Sequence, residues 1–115
     1  MTDIQRLGTS PRWSDVVIHA GTAQWVEVAS DLSLDVRSQL QQIFQQVDDT
    51  LQQLGSSRTR LLQVLIFLAD LQDAATLNEL WDAWVPAGHA PVRACIGAAL
   101  GSGCRAELVI SAAVP

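Results

Sequence analysis

The sequence predicts an α+β domain in which two helices cover one face of a mixed six-stranded sheet. Three observations lead to that class. Two stretches carry apolar residues at every third or fourth position, six short apolar stretches are bounded by turn residues, and these elements follow one another as β-β-β-α-β-α-β-β. A length of 115 residues suits one core, so residues 1–115 are read as a single domain. A composition that is 49% apolar and 17% charged supplies the material for that core.

The first strand is expected at Ile4 to Leu7, the second at Val16 to His19 and the third at Ala23 to Ala29. From Leu34 to Leu54 the apolar residues Leu34, Val36, Leu40, Ile43, Phe44, Val47, Leu51 and Leu54 mark one face of a helix. Ser33 is its expected N-cap, Asp35 suits the positive end of the dipole, and Gly55 suits the C′ position. The opposite face, with Gln41, Gln42, Gln45, Asp48, Asp49 and Gln52, reads as solvent surface. A fourth strand follows at Leu61 to Leu68. A second helix, with Leu77, Leu80, Trp81 and Trp84 on one side, begins after the possible cap Asp73 and stops at Val85-Pro86. Strands at Val92 to Ala99 and Ala106 to Ala112 complete the order.

The fourth strand, LLQVLIFL, is apolar at almost every position, which predicts burial of both its faces. One layer of helices covers only one of them. The other is expected to pack against further copies of the chain in a closed homo-oligomer.

Charge narrows the functional classes. The net charge is −5, and all seven basic residues are arginines without a run. Phosphate-backbone binding is driven by clustered Lys and Arg, so nucleic acid is not an expected partner. No stretch resembles a signal peptide or approaches the ~20 apolar residues of a membrane helix. The chain is therefore expected in the cytoplasm, with no membrane partner and with Cys95 and Cys104 reduced. These two thiols have no CxxC spacing and so make neither a zinc site nor a redox motif.

Arg93 is the unusual residue, a guanidinium inside the strand-like APVRACIGAAL. Alternation places Cys95 and Gly97 on its own face and Val92, Ala94 and Ile96 on the other. An unpaired guanidinium in a buried strand is costly, so Arg93 must meet a carboxylate, a ligand anion or water. Glu107 on the last strand is the internal candidate. If the last two strands form a hairpin near Leu100 the two residues lie opposite each other, and a turn at Gly101-Ser102-Gly103 offsets them; the register stays open at this point.

The segment Arg60 to Cys95, with FLADLQDAATLNELWDAW and the Pro91, Arg93, Cys95 spacing, resembles the Rid/YjgF family of imine and enamine deaminases, formerly endoribonuclease L-PSP. RWSDVVIHAGT from Arg12, the stretch from Asp35 to Leu62 and AEL around Glu107 extend the resemblance along nearly the whole chain. The resemblance implies a chorismate-mutase-like fold, a homotrimer with a central barrel of sheets, and clefts between subunits that take a small-molecule carboxylate. It implies that Arg93 grips the carboxylate of a 2-imino acid and that Glu107 orients the attacking water, giving a 2-keto acid and ammonia without a cofactor. Cys95 would stand beside the ligand. The family's N-terminal tyrosine is matched by Trp13, and its SGQ or AGQ step by Val26-Glu27-Val28. Glu27 adds bulk and negative charge there unless it points away or pairs with an arginine such as Arg12, and Val26 removes a hydrogen-bond donor. The alternative to a deaminase is accordingly a binding or interaction module of the same fold.

Other residues carry less. His19 lacks a placed partner, His89 is expected near the cleft rim, and Trp25, Trp81 and Trp84 read as core or interface anchors. Ser14 and Ser111 have no triad partners, and Gly101-Ser102-Gly103 joins two strands and is no phosphate loop.

Overall fold

A computed structural model describes residues 3–115. Its strands are β1 (Gln5–Leu7), β2 (Val16–His19), β3 (Thr22–Val28), β4 (Leu61–Leu68), β5 (Val92–Gly97) and β6 (Ala106–Ala113), with helices α1 (Val36–Gln53) and α2 (Ala74–Trp84). They form the expected mixed sheet with both helices on one side. The strand order is β1-β2-β3-β6-β4-β5.

That order settles the open question of the last two strands, which do not pair with each other. β4 lies between them, antiparallel to β6 and parallel to β5. A long apolar strand with both edges occupied recovers more ladder hydrogen bonds than two short strands closed on each other.

α1 begins at Asp35, whose carboxylate accepts from the Ser38 N–H at 2.8 Å, so the cap falls two residues beyond Ser33. That bond holds the Asp35 carboxyl below the usual carboxylate range. Gly55 takes the C′ position with φ +72°, as expected. α2 follows Asp73 and ends at Val85, before Pro86. Leu40, Ile43, Phe44, Val47 and Leu51 of α1 and Leu77, Trp81 and Trp84 of α2 are buried against Trp25, Val64, Ile66, Leu68, Leu108 and Ile110 of the sheet. Part of the polar face of α1 also holds structure together. Asp48 accepts from Arg58 at 2.8 and 2.7 Å and from the Trp84 indole, while Arg58 also donates to the Trp84 carbonyl.

A register shift between Leu61 and Gln63 removes Leu62 from the ladder. Such a bulge turns the strand by one residue, which lets Leu61 join Val64, Ile66 and Leu68 in the core while Leu62 is exposed. Across the other face run two rows of paired residues, Val26-Val109-Leu65-Ala94 and Val28-Glu107-Phe67-Ile96. No helix covers them. Val26 and Ile96 are exposed and Leu65, Phe67 and Val109 half-buried. Among the described residues no helix is long and apolar enough to cross a membrane.

Among the described residues Gln39 is the buried polar residue of the core. Its amide N–H groups donate to the carbonyls of Leu34 at 3.0 Å and Gly103 at 2.8 Å, and its oxygen accepts from the Arg105 N–H at 2.9 Å. Gly103 has φ +78°, and a Cβ there would stand 3.0 Å from the Leu32 carbonyl oxygen, so glycine is required for the approach. Gln39→Leu preserves bulk but strands these backbone groups. Its expected cost is about 2–4 kcal/mol, read as a lower urea midpoint at unchanged slope.

Candidate functional site

Strand alternation and the observed register decide where the expected site residues go. Arg93 shares a ladder row with Val64, and Val64 with Ile110, so Arg93 is on the helix face. Glu107 shares a row with Val28 and Phe67 and is on the other face. The two are therefore separated by β4 and by the thickness of the sheet. An internal Arg93–Glu107 pair is excluded within one chain.

Arg93 is also exposed, because β5 is an edge strand. Its guanidinium carbon lies 5.2 Å from the centre of the Trp81 ring, and no salt bridge holds it among the described residues. The charge keeps its water while the planar group rests on an aromatic face. Phe44 and Trp84 pack around Trp81, with ring centres 6.2 and 5.7 Å away. Cys95, half-buried, follows Arg93 on the same face, as expected.

Trp13, Val26, Glu27 and Glu107 line a cleft of about 640 Å³ that wraps the free edge of β3, Glu27 from the helix face in a row with Leu108, and Glu107 from the other face. The ladder between β2 and β3 ends at Val17 and Gln24, so among the described residues the β3 edge from Trp25 to Val28 has no strand partner on that side. The loop from Gly8 to Asp15 passes there instead. Gly8, with φ +111°, has no room for a Cβ, which would stand 2.8 Å from the Asp15 carboxyl carbon. Ser14, Asp15, Val16, Trp25, Val28, Thr50 and Gln53 complete the lining.

Glu27 does turn away from Glu107, but its partners are not Arg12. It accepts from Gln46 at 2.9 Å and from the Thr50 hydroxyl at 3.2 Å. Gln46 and Thr50 are four apart on α1 and so lie side by side. Trp13 is 66% exposed, leaving its ring available at the cleft. The indole N–H of buried Trp25 has no partner among the described residues.

His89 is exposed in the turn after α2, where Nδ1 lies 3.0 Å from the Ala87 carbonyl oxygen, and the cleft lining does not include it. His19 lines a separate shallow recess with Thr22 and Gln24. Sequence reasoning missed Asp15, Trp25, Thr50 and Gln53 as lining residues. Asp15 lies two positions from Trp13 and was within reach of a local argument, whereas Thr50 meets Glu27 only through the packing of α1 on β3.

The family model described as Endoribonuclease L-PSP matches residues 5–114. The RutC family protein YoaB of Escherichia coli strain K12 is 44% identical over 97 residues, covering 84% of this chain and 85% of that protein. A crystal structure from Pseudomonas aeruginosa superimposes with a TM-score of 0.92 at 38% identity, covering 98% of this chain and 100% of that one. A member of the YjgF protein family from Neisseria meningitidis gives a TM-score of 0.90 at 34% identity, covering 98% and 96%.

The two thiols differ in environment. Burial pushes the Cys104 thiol up, although its S–H donates to the Ala106 carbonyl at 3.3 Å. A raised thiol has little thiolate at neutral pH and reacts slowly. Alkylation of the native protein is expected to modify Cys95 and spare Cys104, with both modified after unfolding. Mass spectrometry of peptides containing each cysteine reads the order, and faster labelling of Cys104 would contradict its shielding.

Proposed function

Given that the chain belongs to the Rid/YjgF (endoribonuclease L-PSP) family, we propose that it hydrolyses 2-imino acids at clefts shared by two copies of itself. Arg93 and Cys95 of one copy face Glu107, Trp13 and Val26 of the next, in a homotrimer closed through the uncovered apolar face. The observation that carries this reading is the division of the site. Glu107 sits in a cleft without a cation among its described lining, and Arg93 stands exposed on the opposite face of the same sheet. Each half has what the other lacks.

The chemistry needs little more. The Arg93 fork matches a planar carboxylate and orients the imine, with Trp81 behind the guanidinium restricting its motion. Glu107 accepts a proton from water as the water oxygen bonds to the imine carbon, and a proton goes to nitrogen. Collapse of the resulting carbinolamine breaks the C–N bond, releasing ammonia and leaving the 2-keto acid. In the closed assembly the apolar rows that carry Val28 and Phe67 would cover the Glu107 carboxylate from competing water. Ribonuclease action, which the family's older name suggests, fits poorly with a chain of pI about 4.6 and an acidic cleft.

Freshly generated 2-iminopropanoate is expected to release ammonia faster with the protein than in buffer, and Arg93→Ala to lose roughly 100-fold or more of that rate while staying folded and oligomeric. The division of the site has its own test. Arg93→Ala and Glu107→Gln chains, each inactive alone, are expected to regain activity when co-refolded, with about a quarter of the sites restored by random mixing in a ring of three. Persistent inactivity of the mixture would place both residues in separate roles. Ligand-dependent stabilisation without turnover of any imine would support a binding module instead.

A further inference from the structure

We propose that Gln46 is a positioning residue for Glu107, acting through the end of β3; the proposal rests on the deaminase reading above. Val28 is the ladder partner of Glu107 and shares its face of the sheet. Among the described residues no strand lies on the outer side of β3 from Trp25 to Val28, so this end of the strand lacks the second ladder that would otherwise fix it. Helix α1 supplies the substitute. The Gln46 amide donates to the Val28 carbonyl at 2.8 Å and to the Glu27 carboxylate at 2.9 Å, and its oxygen accepts from the Ser30 N–H at 3.0 Å. With both donors and the acceptor engaged, the amide holds one orientation and ties the helix to one short stretch of chain.

Glu27 completes the brace. From the helix face it accepts from Gln46 and, at 3.2 Å, from the Thr50 hydroxyl, so the residue standing at the glycine step fastens β3 to α1. About two turns earlier on α1, Gln39 holds the Gly103 carbonyl and the Arg105 N–H, and Arg105 lies two residues before Glu107. One helix thus grips both the chain leading into Glu107 and the strand beside it. Gln46 itself is not part of the described cleft lining, which includes Glu27, Val28 and Glu107. It reaches the site only through the strand. A carboxylate that must present water to an imine carbon is sensitive to such support, since a misplacement of about 1 Å can cost roughly 100-fold in rate. In the two-copy site Arg93 belongs to the other chain, so the grip on the substrate and the activation of water are held by separate supports.

The test measures kcat and KM for freshly generated 2-iminopropanoate, well below the melting midpoint of each variant. Gln46→Leu removes all three amide bonds. Gln46→Glu keeps the shape and the oxygen facing Ser30 but loses both donated bonds, and it carries the test if the leucine chain does not fold. Each is expected to lower kcat roughly tenfold or more while KM stays within about twofold, because Arg93 still grips the carboxylate. Mixed chains supply a readout that general destabilisation would not move. Either Gln46 variant co-refolded with Arg93→Ala joins an intact Arg93 to an intact Glu107 end and regains about a quarter of wild-type sites in a ring of three, whereas Glu107→Gln as partner regains nothing beyond the average of the separate chains. An unchanged kcat, a loss confined to KM, or a recovery that is the same with both partners overturns the proposal while the deaminase stands. If Arg93→Ala and Glu107→Gln do not complement each other, or wild type turns over the imine no faster than buffer, the reading beneath falls and the positioning role with it.

Discussion

The position of β4, antiparallel to β6 on one side and parallel to β5 on the other, governs the rest of the molecule. Once those registers are set, the period of two along each strand distributes every side chain between a face under the helices and a face left open. Ile66, Leu108 and Trp25 go to the core because their neighbours do. Glu107 goes to the open face with Val28 and Phe67, and Arg93 goes to the helix face with Cys95. No rotamer change brings the last two groups together, since the backbone of β4 lies between them. A site that uses both needs two chains, and in the proposed assembly the open apolar rows are the surface on which those chains meet.

Both helices and all six strands were legible in the sequence to within a few residues, because local periodicity reports which face of an element is buried. The sheet order was not. Whether the last two strands form a hairpin depends on competition for the edges of LLQVLIFL, which lies far from both in sequence. The site was legible in composition and less so in arrangement. Arg93, Glu107, Trp13, Val26 and Glu27 were identified as residues of interest, and four of them share one cleft. The partners of Glu27 depend on how α1 lies across β3, so a nearby arginine was a reasonable expectation and Gln46 with Thr50 the outcome. Gln39 carried no local sign of its role. An amide on the apolar side of a helix is informative only when the stranded carbonyls it meets are known.

The two tryptophan environments show how the same residue type serves different ends. Trp81 and Trp84 pack with Phe44 beneath the helices, and their outer surfaces carry Arg93 and Arg58 at 5.2 and 5.4 Å. Arg93 rests there exposed and keeps its hydration, whereas Arg58 is fixed by its bonds to Asp48 and to the Trp84 carbonyl. Trp13 has no such packing partner and extends from a loop whose course is fixed by Gly8. The first arrangement stiffens a fold, and the second leaves an aromatic surface free to meet a ligand.

The central placement of β6 also has a consequence for how the chain comes off the ribosome. β3 and β4 are both made before it, yet neither has its inner neighbour until Ala106 to Ala113 emerge, and Thr22 waits for Ala113. During that interval two apolar strands present unpaired edges, the condition under which nascent chains associate with one another. β6 is thus the keystone of the sheet, since its pairing covers the inner edges of both β3 and β4.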